Sequence, residues 1–210
     1  MHAVFRRALA ALALVAAAAV GVSAGGWSVI TLSEFPDYAM AGKPLILTFS
    51  VRQHGTNLVS GLKPSVQASR PGAPAVVVRA MPTARAGEYS ATLELDRLGD
   101  WSIVIDGGFN PDDKTRRTNS IALPPLRVIP AGAAPLVLLS DAERGASLLV
   151  TKGCVSCHAP GSDRDVTRKH LIAERLKAFL ADPAARQIEM PDLGLRPAEI
   201  SALASYLVPR

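Results

Sequence analysis

The chain has 210 residues, of which 49% are apolar and 20% charged. That balance excludes a disordered chain and fits one large domain or two small ones. The formal charge of +5 is not gathered into any run of Lys or Arg. This argues against nucleic-acid binding and leaves solubility or docking to an acidic partner.

The N-terminus has three parts. Met1 to Arg7 is a short basic head, Ala8 to about Val22 an apolar run, and Val22-Ser23-Ala24 a small-x-small exit. Together they read as a secretory signal peptide over residues 1–24, with an uncleaved membrane anchor as the rival. Either way the bulk of the protein is expected in the periplasm or otherwise outside the cytoplasm. Cleavage removes Arg6 and Arg7 and no acid, lowering the net charge by two.

From residue 25 to about 130 the pattern is that of strands. Leu45–Val51, Ala75–Arg79, Glu88–Leu95, Trp101–Ile105 and Leu126–Ile129 are β-rich or alternate with period two. Trp27–Leu32 and Ser65–Ala68 add two more candidates. Gly, Pro, Asn and Asp punctuate the gaps, as in Ala41-Gly42-Lys43-Pro44 and Leu98-Gly99-Asp100. Short, regularly spaced strands over about 100 residues predict an immunoglobulin-like β-sandwich. Trp101, Tyr89 and Phe49 are expected at its centre.

Residues 131–139 look like a linker of small residues and proline. The period then becomes helical over residues 140–210. Ser140 is a candidate N-cap for a helix from Asp141 to about Lys152, with acids in its first turn. A second helix reads from about Arg168 to Ala181, with Leu171, Ile172, Leu176, Phe179 and Leu180 at core spacing. A third runs from Pro197 to Leu207 and carries Ile200, Leu203, Ala204 and Leu207 on its apolar stripe.

Both cysteines lie in Cys154-Val155-Ser156-Cys157-His158. On one helical turn, residues at i, i+3 and i+4 share a face. Two thiols and an imidazole would therefore leave the same turn together. A redox dithiol normally follows a strand in a βαβ context, which is missing here. A structural zinc site wants a fourth ligand and usually a second pair, and only His170 is near. A disulfide across so short a loop gains little. The spacing C-x-x-C-H reads as attachment of one covalent haem c, with thioethers at Cys154 and Cys157 and His158 on the iron.

Met190 stands before Pro191, which pushes it out of helical geometry into an extended loop. A methionine there can turn its thioether into a pocket as a soft ligand. Core filling is the ordinary role of methionine, but the upstream motif and the downstream helix favour ligation. Met81-Pro82, the same dipeptide in the β half, reads as structural.

Gly145, Gly153-Cys154 through His158, Asp182-Pro183, Met190-Pro191 and Ala204-Ser205-Tyr206-Leu207 resemble the class I monohaem c-type cytochrome domain. The resemblance implies His158 and Met190 as axial ligands of a low-spin iron, with a raised potential. It also implies that the first and last helices cross closely at Gly145, with Tyr206 packed at the crossing. The family often carries Gly-Pro-x-Leu after the haem motif, whose proline carbonyl orients the histidine. This chain reads Pro160-Gly161-Ser162-Asp163-Arg164-Asp165-Val166 instead, so the partner of His158 is left open. His170 is the runner-up sixth ligand, read here as a surface histidine.

Ala41-Gly42-Lys43-Pro44-Leu45, Phe49-Ser50-Val51-Arg52, Gly87 to Ala91 and Gly99 to Ile103 resemble the YtkA-like family of exported β-sandwiches. Some members of that family accompany copper handling or oxidase assembly. His54, Met40 and Met81 do not form a motif, so copper is not expected.

The expected fold is therefore two-domain: an all-β immunoglobulin-like sandwich over residues 25–130, then a small all-α cytochrome c domain over 140–210. The expected function is one-electron transfer and not enzymatic catalysis. The sandwich would dock a redox protein partner in a respiratory or dehydrogenase complex, and an uncleaved N-terminus would add membrane association. The alternatives are a haem-based ligand sensor and a copper-handling or respiratory-oxidase assembly factor.

Overall fold

The computed structural model describes residues 27–109, 119–133, 139–183, 185 and 190–208. The signal peptide expected at 1–24 lies outside the described residues, as do residues 134–138 of the expected linker.

Alternation of side chains builds the β part. In β3 (Pro44–Gln53), Leu45, Leu47, Phe49 and Val51 are buried, while Ile46, Thr48, Ser50 and Arg52 point to the other face. The same period buries Tyr89, Ala91 and Leu93 of β8 (Glu88–Glu94) and Trp101, Ile103 and Ile105 of β9 (Gly99–Asp106). One sheet has the order β1-β3-β8-β7, from β1 (Ser28–Leu32) to β7 (Met81–Pro82), with β4 (Asn57–Leu58) paired to β3. The other runs β2-β11-β9-β5-β6, formed by β2 (Tyr38–Met40), β11 (Leu126–Ile129), β9, β5 (Ser65–Ser69) and β6 (Val76–Arg79). β10 (Ser120–Ala122) pairs with β9. The inner faces close on a single cluster with Trp101, Tyr89 and Phe49 fully buried, giving an immunoglobulin-like sandwich.

The polar atoms of the two largest core aromatics are satisfied within the sandwich. Tyr89 donates its hydroxyl to the Val59 carbonyl at 2.8 Å and accepts from the Leu62 N–H at 3.0 Å. Trp101 donates Nε1–H to the Arg97 carbonyl at 2.9 Å.

β1 breaks the alternation, because all five of its residues are buried. Ile30 and Leu32 belong to the sandwich core. Val29 and Thr31 face the other way and are covered by the helical part of the chain. Thr31 donates its hydroxyl to the Lys152 carbonyl at 3.4 Å. A Cβ on Gly153 would stand 2.6 Å from Val29 Cγ1, so only glycine allows this approach.

The helical part holds α1 (Asp141–Thr151), α2 (Ala173–Ala181) and α3 (Pro197–Leu207). α1 starts in a capping box. The Glu143 N–H donates to Ser140 Oγ at 3.3 Å, and the Ser140 N–H donates to Glu143 Oε2 at 2.8 Å. α1 and α3 cross at Gly145, where a Cβ would collide with the Ala202 carbonyl and Tyr206 Cβ. Leu149, Leu180, Ile200, Leu203 and Leu207 form the small apolar cluster between the helices.

These contacts overturn the expectation of two domains with a separate all-α cytochrome c domain. The chain is mostly two β-sheets with three short helices, and the helical part rests on the first sheet where the end of α1 meets the outer face of β1. The physical reason is the size of the helical cluster. Its apolar surface is completed by the sandwich, against which Val150 and Val155 pack. A charged clamp holds the seam. Lys152, 7% exposed, donates to the carbonyls of Leu32 at 3.2 Å and Ser33 at 2.9 Å and to Glu199 Oε1 at 3.0 Å. Arg144 pairs with Asp37 through both terminal nitrogens at 2.9 Å.

The second helix is also shorter than expected. Residues 166–168 form a single 3₁₀ turn, and α2 begins at Ala173 after extended backbone at Lys169 and Ile172. Asp165 caps that turn by accepting from the Thr167 N–H at 2.9 Å, which competes with helix continuation. Ile172, expected in the core, is 57% exposed.

Candidate functional site

The Cys154–His158 segment begins at the C-terminal end of α1. Gly153 takes the left-handed conformation, with φ +76°, and redirects the chain. Cys154–Ser156 then form a 3₁₀ turn. The N–H groups of Cys157 and His158 both donate to the Cys154 carbonyl, at 3.1 and 2.8 Å. The backbone thus curls once and brings Cys154, Cys157 and His158 onto a single turn.

Both cysteines are free thiols. Burial pushes the Cys154 thiol up to about 11. Burial also raises Cys157, opposed in part by the charge of Arg164. Thiolate is therefore scarce at neutral pH, which is the opposite of what an activated redox dithiol needs.

The ring of His158 is fixed by the loop that follows. Its Nδ1 lies 2.7 Å from the Arg164 carbonyl oxygen. A carbonyl only accepts, so Nδ1 carries the proton and the Nε2 lone pair is left for a metal. The loop is tied by Asp165, which is buried. It accepts from the Gly161 N–H at 2.7 Å and from the Thr167 hydroxyl at 2.6 Å. The Thr167 hydroxyl first, and then the Gly161 N–H, hold the Asp165 carboxyl below its ordinary value.

Met190 is partly buried. It packs, with Cys154, against the cluster of Leu149, Leu180, Ile200, Leu203 and Leu207. The first cysteine of the motif and the candidate second axial ligand therefore border the same apolar cluster. His170 is exposed and stands before α2 rather than within it.

The candidate copper residues are spread over the fold. Met40 lies on β2 of the second sheet and Met81 on β7 of the first. His54 follows β3, with its ring 6.1 Å from that of Trp27. No group of three or more His, Cys, Asp or Glu side chains gathers as a metal site among the described residues.

Two open clefts line the seam instead. One, of about 480 Å³, is bordered by Glu34, Lys152, Arg196 and Glu199; the other, of about 530 Å³, by Phe35, Tyr38 and Pro44. The charged groups of the first are engaged with one another. Arg196 donates to Glu34 at 2.7 Å and to Glu199 at 3.0 Å. Burial works against ionisation of Glu199, but the hydrogen bonds from Arg196 and Lys152 outweigh it and hold its carboxyl below the ordinary value.

Sequence reasoning singled out the two cysteines, His158 and Met190 as candidates, but neither the Arg164 carbonyl nor Asp165. A backbone carbonyl leaves no side-chain signature. The only sequence signal for Asp165 is its place two residues before Thr167.

No protein-family model matches the chain. No curated protein matches it either. Among solved structures, the Lin-41 filamin domain aligns at 14% identity and a TM-score of 0.37, over 50% of this chain and 98% of that one. Trypsin-activated alpha-2-macroglobulin from Escherichia coli aligns at 19% identity and a TM-score of 0.37, over 50% of this chain and 7% of that one. A Salmonella alpha-2-macroglobulin mutant aligns at 16% identity and a TM-score of 0.39, over 57% of this chain and 8% of that one.

Proposed function

We propose that this protein is an exported one-electron carrier that holds one haem c covalently on its helical layer. Cys154 and Cys157 would make the thioether bonds, His158 would ligate the iron through Nε2, and Met190 would supply the second axial ligand. The observation that carries this reading is the hydrogen bond from His158 Nδ1 to the Arg164 carbonyl, on a turn that also presents two free thiols. It supplies the outer partner of a metal-binding imidazole, and with it the tautomer that leaves Nε2 available. Haem bound there supplies a one-electron iron couple whose potential is set by the ligands, the burial and the surrounding charge.

The residues around the turn have defined parts in that role. Asp165 closes the loop and so fixes where the Arg164 carbonyl points. The apolar cluster beneath Cys154 and Met190 keeps water from one side of the site and lowers its dielectric. With histidine and methionine both on the metal, no position is open for a substrate, which favours electron transfer over bond-making chemistry. The sandwich, with its helical layer, would form the body that docks a redox partner outside the cytoplasm.

The test is the absorption spectrum of the full chain made in a host that attaches haem c, with haem staining after denaturing electrophoresis. The expected result is covalent pigment and the weak far-red band of a ferric iron–thioether bond, with that band lost in Met190→Ala. Pigment that acidified acetone extracts sinks the covalent reading. A large, rapid Soret shift with carbon monoxide in the reduced native protein sinks the carrier in favour of a ligand sensor.

A further inference from the structure

We propose that Arg52, on the outer face of the sandwich, is the anchor for a haem propionate; the inference rests on the covalent-haem reading above. Two chain segments would hold the iron, and each has a neighbour linked to Arg52. β3 pairs antiparallel with β1, and Arg52 is directly opposite Val29. Directly opposed residues put their side chains on the same face. That face is the one on which Gly153 rests against Val29, immediately before Cys154. From the other segment comes Asp192, two residues past Met190, whose carboxylate acts electrostatically on Arg52.

The guanidinium has an open donor. Arg52 Nη1 is buried and makes no hydrogen bond. A buried N–H without a partner is costly, and a charged one more so. Asp192 does not close the gap, and its Oδ1 accepts from the Gly194 N–H at 2.8 Å. The other seam cations are engaged: Arg144 with Asp37, Lys152 with Glu199, and Arg196 with Glu34 and Glu199. Arg70 also has a buried nitrogen without a partner, but it lies just past β5 in the second sheet and donates to the Leu98 carbonyl.

Guanidinium suits this task. Its planar fork matches a carboxylate through two parallel N–H···O bonds and stays charged when partly buried. Haem carries two propionate carboxylates, so it brings the acceptors that the orphaned Nη1 needs. The sandwich would then bind part of the cofactor directly and hold it against the helical layer.

Arg52→Gln and Arg52→Lys test this in the full haem-loaded chain, by potentiometric titration and resonance Raman spectroscopy. Removing a cation beside the haem disfavours the reduced form, so Arg52→Gln is expected to lower the midpoint potential. The propionate bending band is expected to shift as the carboxylate loses its hydrogen bonds. Arg52→Lys keeps the charge but not the fork, so it should hold most of the potential while still shifting the band. If Arg52→Gln does not accumulate, the band shift in Arg52→Lys decides. A pigmented native protein with the band unmoved in the variants overturns this assignment and leaves the carrier standing. A native protein without covalent pigment overturns both.

Discussion

The sandwich and the helical layer are held together by different physics. Among the described residues, the sandwich buries twenty-one hydrophobic side chains in one cluster, and the helical cluster buries five. The sandwich core is aliphatic and aromatic with its few polar atoms paired at short range. The helical layer leans on a buried Lys152–Glu199 pair, a tied carboxylate at Asp165 and glycines at two close approaches. The lesson is that a small layer can be positioned accurately by polar clamps on a larger body whose core is already sufficient. The cost is that it stays sensitive to charge.

Three perturbations sharpen that contrast. The largest effect is expected from Trp101→Ala, which empties the centre of the sandwich and costs about 3–5 kcal/mol. Urea unfolding should show the fluorescence and helical signals falling together, because the layer loses its seat. A helical signal that outlasts the sandwich would mean the layer stands alone.

Lys152→Ala comes next. It removes one partner of a buried pair and leaves two carbonyls of the β1 end without their donor. Breaking a buried pair from one side costs about 3 kcal/mol or more, and Glu199 keeps Arg196 here, which favours the lower figure. The far-ultraviolet helical signal should be lost at lower urea than the tryptophan signal. Coincident transitions would mean that the clamp contributes little to seating the helices.

The smallest effect is acid loosening. The carboxyl of Glu199 ionises below its ordinary value of 4.5 in the folded protein. Its stabilisation is therefore fully present above about pH 4.5 and is lost as pH falls through the folded value. The helical signal should weaken in that window before the sandwich fluorescence changes. Glu199→Gln should flatten the dependence, and an unchanged acid profile in that variant would assign it to other carboxylates.

Much of the fold was legible because the relevant periods are local. The seven strands expected from β-rich and alternating runs all have counterparts, and the third helix has the limits that Pro197 and its apolar stripe suggest. The short strands β2, β4, β7 and β10 were not legible. They are two or three residues long and exist because a neighbouring strand offers hydrogen bonds. The start of α2 was misplaced because an Asp165–Thr167 turn outcompeted a continuous helical pattern.

At the candidate site, the sequence determined which atoms could meet. The i, i+3, i+4 spacing puts two thiols and an imidazole on one turn. That is a property of consecutive residues and follows from backbone geometry, whereas the close crossing at Gly145 was expected only from the family resemblance. Only the tertiary structure decided that the helical part sits on the sandwich, that the Arg164 carbonyl accepts a hydrogen bond from His158 Nδ1, and that Arg52 has a buried donor without a partner. Each of those depends on groups far apart in the chain or on backbone atoms common to every residue, so no local pattern encodes them.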